Sequence, residues 1–188
     1  MCSVRTALLA LAISIAAVLI PTGSAEAEER VCRGTIGAVT VDNLRVPQGA
    51  SCTLLGTRVK GTVKVESLAT LRAEDIVVIG NVQAENARNV QVLDWSRVGG
   101  SVQVVQGGAA TVADSRINGD ILYDENNRAL RILRNQVGGN VQVFQNTGGV
   151  EIRRNFIDGN LQCKANNPPP IGGNNIVQGN KEDQCRRL

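Results

Sequence analysis

Short apolar pairs alternate with polar residues along most of the chain, and the alternation itself recurs at a nearly constant interval. The phrase Gly-polar-Val-Gln-Val, with its variants, begins at positions 42, 61, 80, 100, 119, 139, 159 and 179, in steps of 19 or 20 residues. An alternation with a period of two residues predicts short β-strands that bury one face. A helix, the competing interpretation of any single window, does not have this period.

Each repeat contains three such segments. The first carries pairs such as Val63/Val65 and Val141/Val143, the second pairs such as Leu71/Ala73 and Val150/Ile152, and the third ends on one residue, such as Val78. β-Branched residues between Gly and Asn are typical of strands and turns. The sequence therefore predicts an all-β, single-domain, right-handed parallel β-helix (β-solenoid) of about seven coils of 19–20 residues, with three short strands per coil. A left-handed hexapeptide helix would require multiples of six residues.

The N-terminus has the features of an export signal. Arg5 precedes an apolar run over 7–20, and Pro21 and small residues end that run. The run is shorter than the roughly 20 residues that span a bilayer. We expect residues 1–25 to be a cleaved signal peptide, 26–41 an N-terminal cap, 42–178 the β-helix coils and 179–188 a C-terminal cap. The expected location is secreted or in the periplasm or cell envelope, without stable membrane insertion after cleavage.

Four cysteines follow the predicted signal, in two pairs at opposite ends of the chain. Cys32 precedes Cys52 by 20 residues, which is one coil, and Cys163 precedes Cys185 by 22. Adjacent coils lie about 4.8 Å apart, a distance that a disulfide tolerates. The sequence therefore predicts Cys32–Cys52 and Cys163–Cys185 disulfides, consistent with an exported chain.

The predicted disulfides close the two ends of the solenoid, where strand edges would otherwise be unpaired. The prolines at 168–170 also cannot donate hydrogen bonds to a strand ladder. We therefore expect a monomer with capped ends.

Composition limits the chemistry available to the chain. The formal charge is +3, histidine is absent, and aromatic residues make up 2% of the sequence. This charge is too small to indicate nucleic-acid binding, and few aromatic platforms are available for stacking bases. No CxxC spacing or phosphate-binding glycine loop indicates a metal site or a cofactor, so we expect neither.

The valine-rich coils with recurring Gly-Asn-Val-Gln, together with Val59-Lys-Gly-Thr-Val and Val78-Ile-Gly-Asn-Val-Gln-Ala, resemble bactofilins over roughly residues 34–162. That resemblance implies a short-repeat right-handed parallel β-helix and polymerisation into bacterial cytoskeletal filaments. The chain differs from bactofilins in its signal peptide, cysteines and prolines. The segment 41–52 is similar to secreted bacterial proteins, so the resemblance implies a secreted, disulfide-capped bacterial form.

An outward polar face is the first candidate binding surface. It comprises Asn81, Gln83, Gln103, Asn140, Gln142, Asn160 and Gln162. A flat row of amides could bind an extended polymer such as a glycan. The alternative is that amide side chains hydrogen-bond along the stack and stabilise it.

Charged residues form two further candidates. A basic cluster comprises Arg128, Arg131, Arg134, Arg153 and Arg154, and could contact an acidic polymer or simply be solvated. A turn column of Asp114, Arg134 and Arg154, with Asp94 nearby, could hold carboxylates for glycoside hydrolysis. The alternative there is a surface ladder of opposite charges.

These patterns favour an exported, non-enzymatic structural or binding protein, with no residue assigned a catalytic role. Its expected partner is a polysaccharide, such as a cell-wall or extracellular glycan, or another protein. A carbohydrate-active enzyme of the β-helix type and a polymerising bactofilin-like scaffold are the alternatives.

Overall fold

The chain is an all-β parallel β-solenoid. A computed structural model describes residues 28–188, which form 25 short strands and no α-helix. The predicted signal peptide, residues 1–25, lies outside the described residues. The predicted fold class, with three strands per coil, is confirmed.

Three parallel sheets run the length of the solenoid, and each coil contributes one strand to each sheet. The first sheet contains β1 (Glu29–Val31), β4 (Asn43–Val46), β7 (Val63–Val65), β10 (Val82–Glu85), β13 (Val102–Val105), β16 (Ile121–Asp124), β19 (Val141–Phe144), β22 (Leu161–Lys164) and β25 (Lys181–Asp183). The second contains β2 (Gly34–Ile36), β5 (Ser51–Leu55), β8 (Thr70–Glu74), β11 (Asn89–Leu93), β14 (Ala109–Ala113), β17 (Leu130–Leu133), β20 (Val150–Arg153) and β23 (Ile171–Gly173). The third contains β3 (Thr40–Val41), β6 (Arg58–Val59), β9 (Val77–Val78), β12 (Arg97–Val98), β15 (Arg116–Ile117), β18 (Gln136–Val137), β21 (Phe156–Ile157) and β24 (Ile176–Val177).

The solenoid has about eight coils, one more than the sequence predicts. The additional coil is formed by β1, β2 and β3, which pair with β4, β5 and β6. This coil has a neighbour on one side only, and most of its residues are exposed. Its sequence therefore lacks the alternation of buried residues that marks the inner coils.

Stacked aliphatic side chains fill the interior. Successive coils place like residues in register, and in the first sheet the stack of fully buried residues is Val63, Val82, Val102, Ile121, Val141 and Leu161. Burying one such side chain stabilises the fold by about 1.5–3 kcal/mol relative to leaving it exposed. The apolar pairs read from the sequence are therefore the core.

The corners between sheets use left-handed backbone. We call the turn between the first and second sheets the first corner, and that between the second and third sheets the second corner. Left-handed residues recur at the first corner in the column Gly49, Leu68, Asn86, Gln106, Glu125, Gln145 and Ala165. They recur at the second corner in the column Gly56, Asp75, Asp94, Asp114, Arg134, Arg154 and Asn174. One such residue turns the chain sharply between two short strands.

The third corner, which leads from the third sheet to the next coil, explains why each repeat begins at a glycine. The backbones of successive coils approach closely there. A Cβ atom added at Gly139 would overlap Asp120 Oδ1 and would lie 2.9 Å from the carbonyl oxygen of Gly119. Glycine is therefore required by the proximity of the coil below.

Buried asparagines stack at the first and second corners of the C-terminal half. At the first corner, the backbone N–H of Asn126 donates to Asn146 Oδ1 at 2.9 Å, and Asn146 in turn donates through its own N–H to Asn166 Oδ1 at 3.1 Å. At the second corner, Asn135 and Asn155 make the equivalent bond at 2.9 Å. These side chains satisfy backbone groups that the turns leave without strand partners. The predicted asparagine ladder at the second corner is confirmed.

Both predicted disulfides are present. Cys32 and Cys52 have Cα atoms 5.6 Å apart, and those of Cys163 and Cys185 are 5.3 Å apart. The second bond attaches the C-terminal tail to the last coil, where Gln184 Oε1 accepts the backbone N–H of Asn166 at 2.9 Å. Leu188 also packs against the core. The tail therefore covers the C-terminal end of the solenoid.

Candidate polymer-binding face

The glutamines predicted to face outward lie on the first sheet. Strand pairing aligns the outward column Arg45, Lys64, Gln83, Gln103, Leu122, Gln142, Gln162 and Glu182. We call this set the glutamine column. Gln83 Nε2 donates to Gln103 Oε1 at 3.2 Å, and Gln142 Nε2 donates to Gln162 Oε1 at 3.0 Å. The amides therefore pair in twos, with Leu122 between the pairs.

The asparagines of the predicted face have a different environment. Asn81 Oδ1 accepts the backbone N–H of Ser101 at 2.8 Å, and Asn140 Oδ1 accepts that of Asn160 at 2.9 Å. Asn160 Oδ1 accepts the N–H of Asn180 at 2.8 Å. All three asparagines are half-buried. Their side-chain oxygens hold the coils together, so the glutamine column carries the amides that point to solvent.

A shallow groove lies beside the N-terminal half of the glutamine column. Its volume is about 720 Å³, and its polar lining includes Gln48, Lys64, Glu66, Gln83, Glu85 and Gln103. Arg45 forms ion pairs with Glu29 at 2.6 Å and with Glu66 at 3.5 Å at its N-terminal edge. The groove thus presents amides together with charges of both signs.

Gln48, Glu66 and Glu85 are groove residues that the sequence pattern did not single out. Glu66 follows β7, and Glu85 is the last residue of β10, so both stand where the first sheet bends into the first corner. Glu66 Oε2 also accepts the backbone N–H of Gln48 at 3.0 Å. The recurrence of polar residues directly after the first apolar pair was the available signal.

The turn column proposed for catalysis contains an ion pair. Arg134 donates to both carboxylate oxygens of Asp114 at 2.6 Å, from one coil to the next. The hydrogen bonds from Arg134 hold the pKa of the Asp114 carboxyl below its usual value. A carboxylate held ionised in this way is a poor proton donor for glycoside cleavage. Asp94 and Arg154 occupy the same second-corner column, one coil to either side of the pair.

The predicted basic cluster is spread over two surfaces and is partly neutralised. Arg131 and Arg153 extend from the second sheet, and both contact Glu151, at 3.9 and 3.1 Å. Arg134 and Arg154 lie at the second corner, and Arg128 precedes the second sheet by two residues. The five guanidinium groups therefore do not converge on one point.

Other common kinds of site have no support in residues 28–188. No group of three or more histidine, cysteine, aspartate or glutamate side chains is arranged to hold a metal ion in this part of the chain. Within the same residues, no helix is long and apolar enough to cross a membrane.

Comparisons of the chain with protein-family profiles, with curated proteins and with solved structures found no match. The fold and the surfaces described above are therefore the basis for any functional assignment.

Proposed function

We propose that this protein is an exported, non-enzymatic binding protein that holds an extended neutral glycan along the glutamine column. The observation that supports this most directly is the position of the groove beside Gln83 and Gln103. A concave polar surface that continues over several identical coils matches a ligand that is itself a linear repeat. The binding residues we assign are Lys64, Gln83 and Gln103, with Gln142 and Gln162 extending the surface.

The hydrogen bonding of the column supports this assignment. Each glutamine pair is linked through one donor and one acceptor. An amide carries two donors and two acceptor lone pairs, so each pair keeps unused groups of both kinds. Sugar hydroxyls both donate and accept, and they are complementary to such a surface.

Export is part of the proposal. Two disulfides are compatible with an extracellular or periplasmic location, because thiols in the cytosol are kept reduced. The apolar segment before Pro21 supplies the expected signal, and the bactofilin-like repeat style suggests a bacterial source. A secreted bacterial solenoid with stapled ends would persist where glycans of the cell envelope are accessible.

A polymerising scaffold is the second candidate, and one observation favours it. β1 is the edge strand of the first sheet at the N-terminal end, and all three of its residues are exposed. A strand edge of this kind can pair with another chain. At the other end the C-terminal tail covers the core, so assembly would need that tail to move. Electron microscopy of the protein with and without reductant distinguishes filaments from monomers.

The direct test is calorimetric titration of the protein lacking residues 1–25 with cellohexaose and chitohexaose. We expect binding of at least one of these neutral oligosaccharides, weakened about tenfold or more in the Gln83→Ala/Gln103→Ala variant. Gln178→Ala, which changes an exposed glutamine outside the column, is the matched control and should bind normally.

Chromatography of the incubated oligosaccharides should show no shortened products. Release of products that is lost in Asp114→Ala would replace the proposal with a carbohydrate-active enzyme. Absence of binding, or equal binding by the double variant, would also contradict it.

A further inference from the structure

Trp95 is an extra residue at the second corner. Before it, Val92 pairs with Val112, 20 residues further along the chain, and after it Arg97 pairs with Arg116, only 19 residues further along. The preceding coil shows the same offset, since Leu93 pairs with Glu74 and Arg97 with Val77. One residue between Leu93 and Arg97 therefore has no counterpart in either neighbouring coil, and Trp95 occupies this bulge.

The bulge is held in place by hydrogen bonds. The backbone N–H of Trp95 donates to the carbonyl of Asp114 at 2.8 Å. The hydroxyl of Ser96, which is buried beneath the corner, donates to the carbonyl of Leu93 at 2.6 Å and accepts the N–H of Ile76 at 3.2 Å. The position of Trp95 is thus fixed by the coils on both sides.

This arrangement displays the indole in an unusual way. Trp95 is the one tryptophan of the chain, its residue is 80% exposed, and its backbone is left-handed with φ 64°. Asp94 before it is also left-handed, whereas the adjacent coils turn with Asp75 or Asp114 alone. A bulky residue is rarely found in this conformation, and its apolar rings are not buried. An exposed indole on a fixed backbone suits contact with a ligand.

Two arginines stand beside the indole without carboxylate partners. Arg97 and Arg116 are adjacent in register on the third sheet, a pairing of like charges that destabilises a sheet. Within residues 28–188, neither forms an ion pair, and Arg116 Nε donates to the amide oxygen of Asn118 at 3.3 Å. The nearest carboxylate, Asp114, is already bound by Arg134.

These groups surround one surface depression. Its volume is about 340 Å³, and it is lined by Trp95, Arg97, Asp114, Ser115, Arg116, Arg134 and Gln136. Three guanidinium groups and one carboxylate give this lining a formal charge of +2. The depression lies at the second corner and third sheet, whereas the glutamine column lies on the first sheet.

We propose that this depression, the tryptophan corner, binds a carboxylate-bearing sugar unit of an anionic glycan. The indole would stack on the apolar C–H face of the sugar ring, and Arg97 and Arg116 would bind its carboxylate through charge-assisted hydrogen bonds. The ligand carboxylate would also relieve the repulsion between the two arginines. This site goes beyond the proposed binding of neutral glycans and does not depend on it.

A single-stranded nucleic acid is the other ligand class that combines stacking with guanidinium contacts. Such ligands require aromatic platforms for successive bases along a basic groove. The lining of the tryptophan corner supplies one aromatic residue. The anionic sugar is therefore the better match, and the nucleic acid is included as an outcome of the test.

The experiment uses Trp95 as its own probe, because it is the single tryptophan of the chain. Tryptophan fluorescence of the protein lacking residues 1–25 is titrated with hexagalacturonate, cellohexaose, polyglutamate and oligothymidylate. We expect a saturable change with hexagalacturonate, weakened about tenfold or more in Arg97→Gln/Arg116→Gln. Arg58→Gln, an exposed arginine two coils away on the same sheet, should bind within about twofold of the unmodified protein.

Calorimetry of Trp95→Ala with hexagalacturonate separates stacking from charge, and its circular dichroism spectrum reports the fold. We expect an unchanged spectrum and a loss of affinity similar to that of the arginine variant. No response to hexagalacturonate would overturn the assignment, as would equal binding by the double arginine variant. Equal or stronger binding of polyglutamate or oligothymidylate would show that the corner recognises charge or bases and not a sugar.

Discussion

Asn146 Oδ1 accepts the backbone N–H of Asn126 at 2.9 Å, so the side chain of one coil completes the turn of the coil before it. The Nδ2 atom of Asn146 donates to the carbonyl of Tyr123 at 3.0 Å, and both asparagines are fully buried. The same side chain thus satisfies a donor and an acceptor that no strand partner reaches. The stability of the corners depends on this reciprocity.

The first prediction follows from these bonds. Asn146→Ala should lower the free energy of unfolding by about 3 kcal/mol, because a buried N–H and a buried carbonyl lose their partners. Urea titration measures the change. Asn127→Ala, at an exposed position one residue beyond Asn126, is the control and should stay within about 0.5 kcal/mol of the unmodified protein. Equal stability of the two variants would contradict the assigned role of Asn146.

The second prediction concerns the glycines that open the repeats. Gly139→Ala should cost about 2 kcal/mol, since the new Cβ would overlap Asp120 Oδ1 and separate the two coils. Thermal and urea unfolding report the loss. At Gly37 a Cβ would have no atom within 4 Å and the backbone is not left-handed, so Gly37→Ala should be neutral or slightly stabilising. A neutral Gly139→Ala would show that the third corner can expand.

The third prediction concerns pH and the Asp114–Arg134 pair. Because the pKa of Asp114 is lowered in the folded protein, the pair stabilises the fold above the usual pKa of 3.8, and this stabilisation is lost as the pH falls through the folded pKa. The side chains are 34% and 49% exposed, so the contribution is small, about 0.5 kcal/mol. Asp114→Asn should be less stable than the unmodified protein near neutral pH and equal to it in strong acid.

Carboxyl NMR titration tests the cause directly, because Arg134→Gln should raise the pKa of Asp114 toward its usual value. Arg154→Gln, which changes the next residue of the same column, should leave the titration of Asp114 in place. A stability difference that persists unchanged at low pH would show that packing, and not charge, explains the effect of the substitution.

The fourth prediction tests the backbone at Trp95. Left-handed backbone costs a bulky residue about 1 kcal/mol, and asparagine adopts it more readily. Trp95→Asn should therefore raise the free energy of unfolding by about 0.5–1 kcal/mol, although it removes the largest side chain of the corner. Urea unfolding followed by circular dichroism is suitable, because the tryptophan signal is lost. A marked destabilisation would mean that the indole packs against the corner.

The fifth prediction concerns the disulfides. Each closes a loop of about twenty residues, so Cys163→Ser/Cys185→Ser should lose about 3 kcal/mol of stability, and Cys32→Ser/Cys52→Ser a similar amount. Reductant should destabilise the unmodified protein and leave a variant lacking all four cysteines unchanged. Peptide mapping under non-reducing conditions checks the pairing, and a Cys32–Cys163 peptide would contradict it.

The sequence predicted those features that depend on residues stacking in columns. Cys52 shares a column with Leu71 and Val90, and that alignment placed Cys32 one coil away, where the disulfide forms. Asn135 and Asn155 were likewise recognised as a ladder before their hydrogen bonds were known. A column is visible in a sequence because every coil meets the same physical requirement.

Features of a single coil were not predictable in this way. The steps of 19 and 20 residues show that coil length varies, but they do not show which residue is extra, so the bulge at Trp95 was missed. The coil over 29–41 was missed because an end coil has little burial to impose a pattern. The groove beside Gln83 depends on the shape of the first corner, which the alternation of residues does not encode.

The matched columns also make coil number a variable of the design. Gly100 and Gly119 hold equivalent positions, so deleting residues 100–118 would join each remaining coil to a neighbour with compatible side chains at every corner. Duplicating residues 119–138 would lengthen the rod by one strand spacing, about 4.8 Å. The protein therefore works as a ruler whose graduations can be added or removed between two fixed ends, and a lineage could adjust the reach of its binding surface by recombination within the repeat alone.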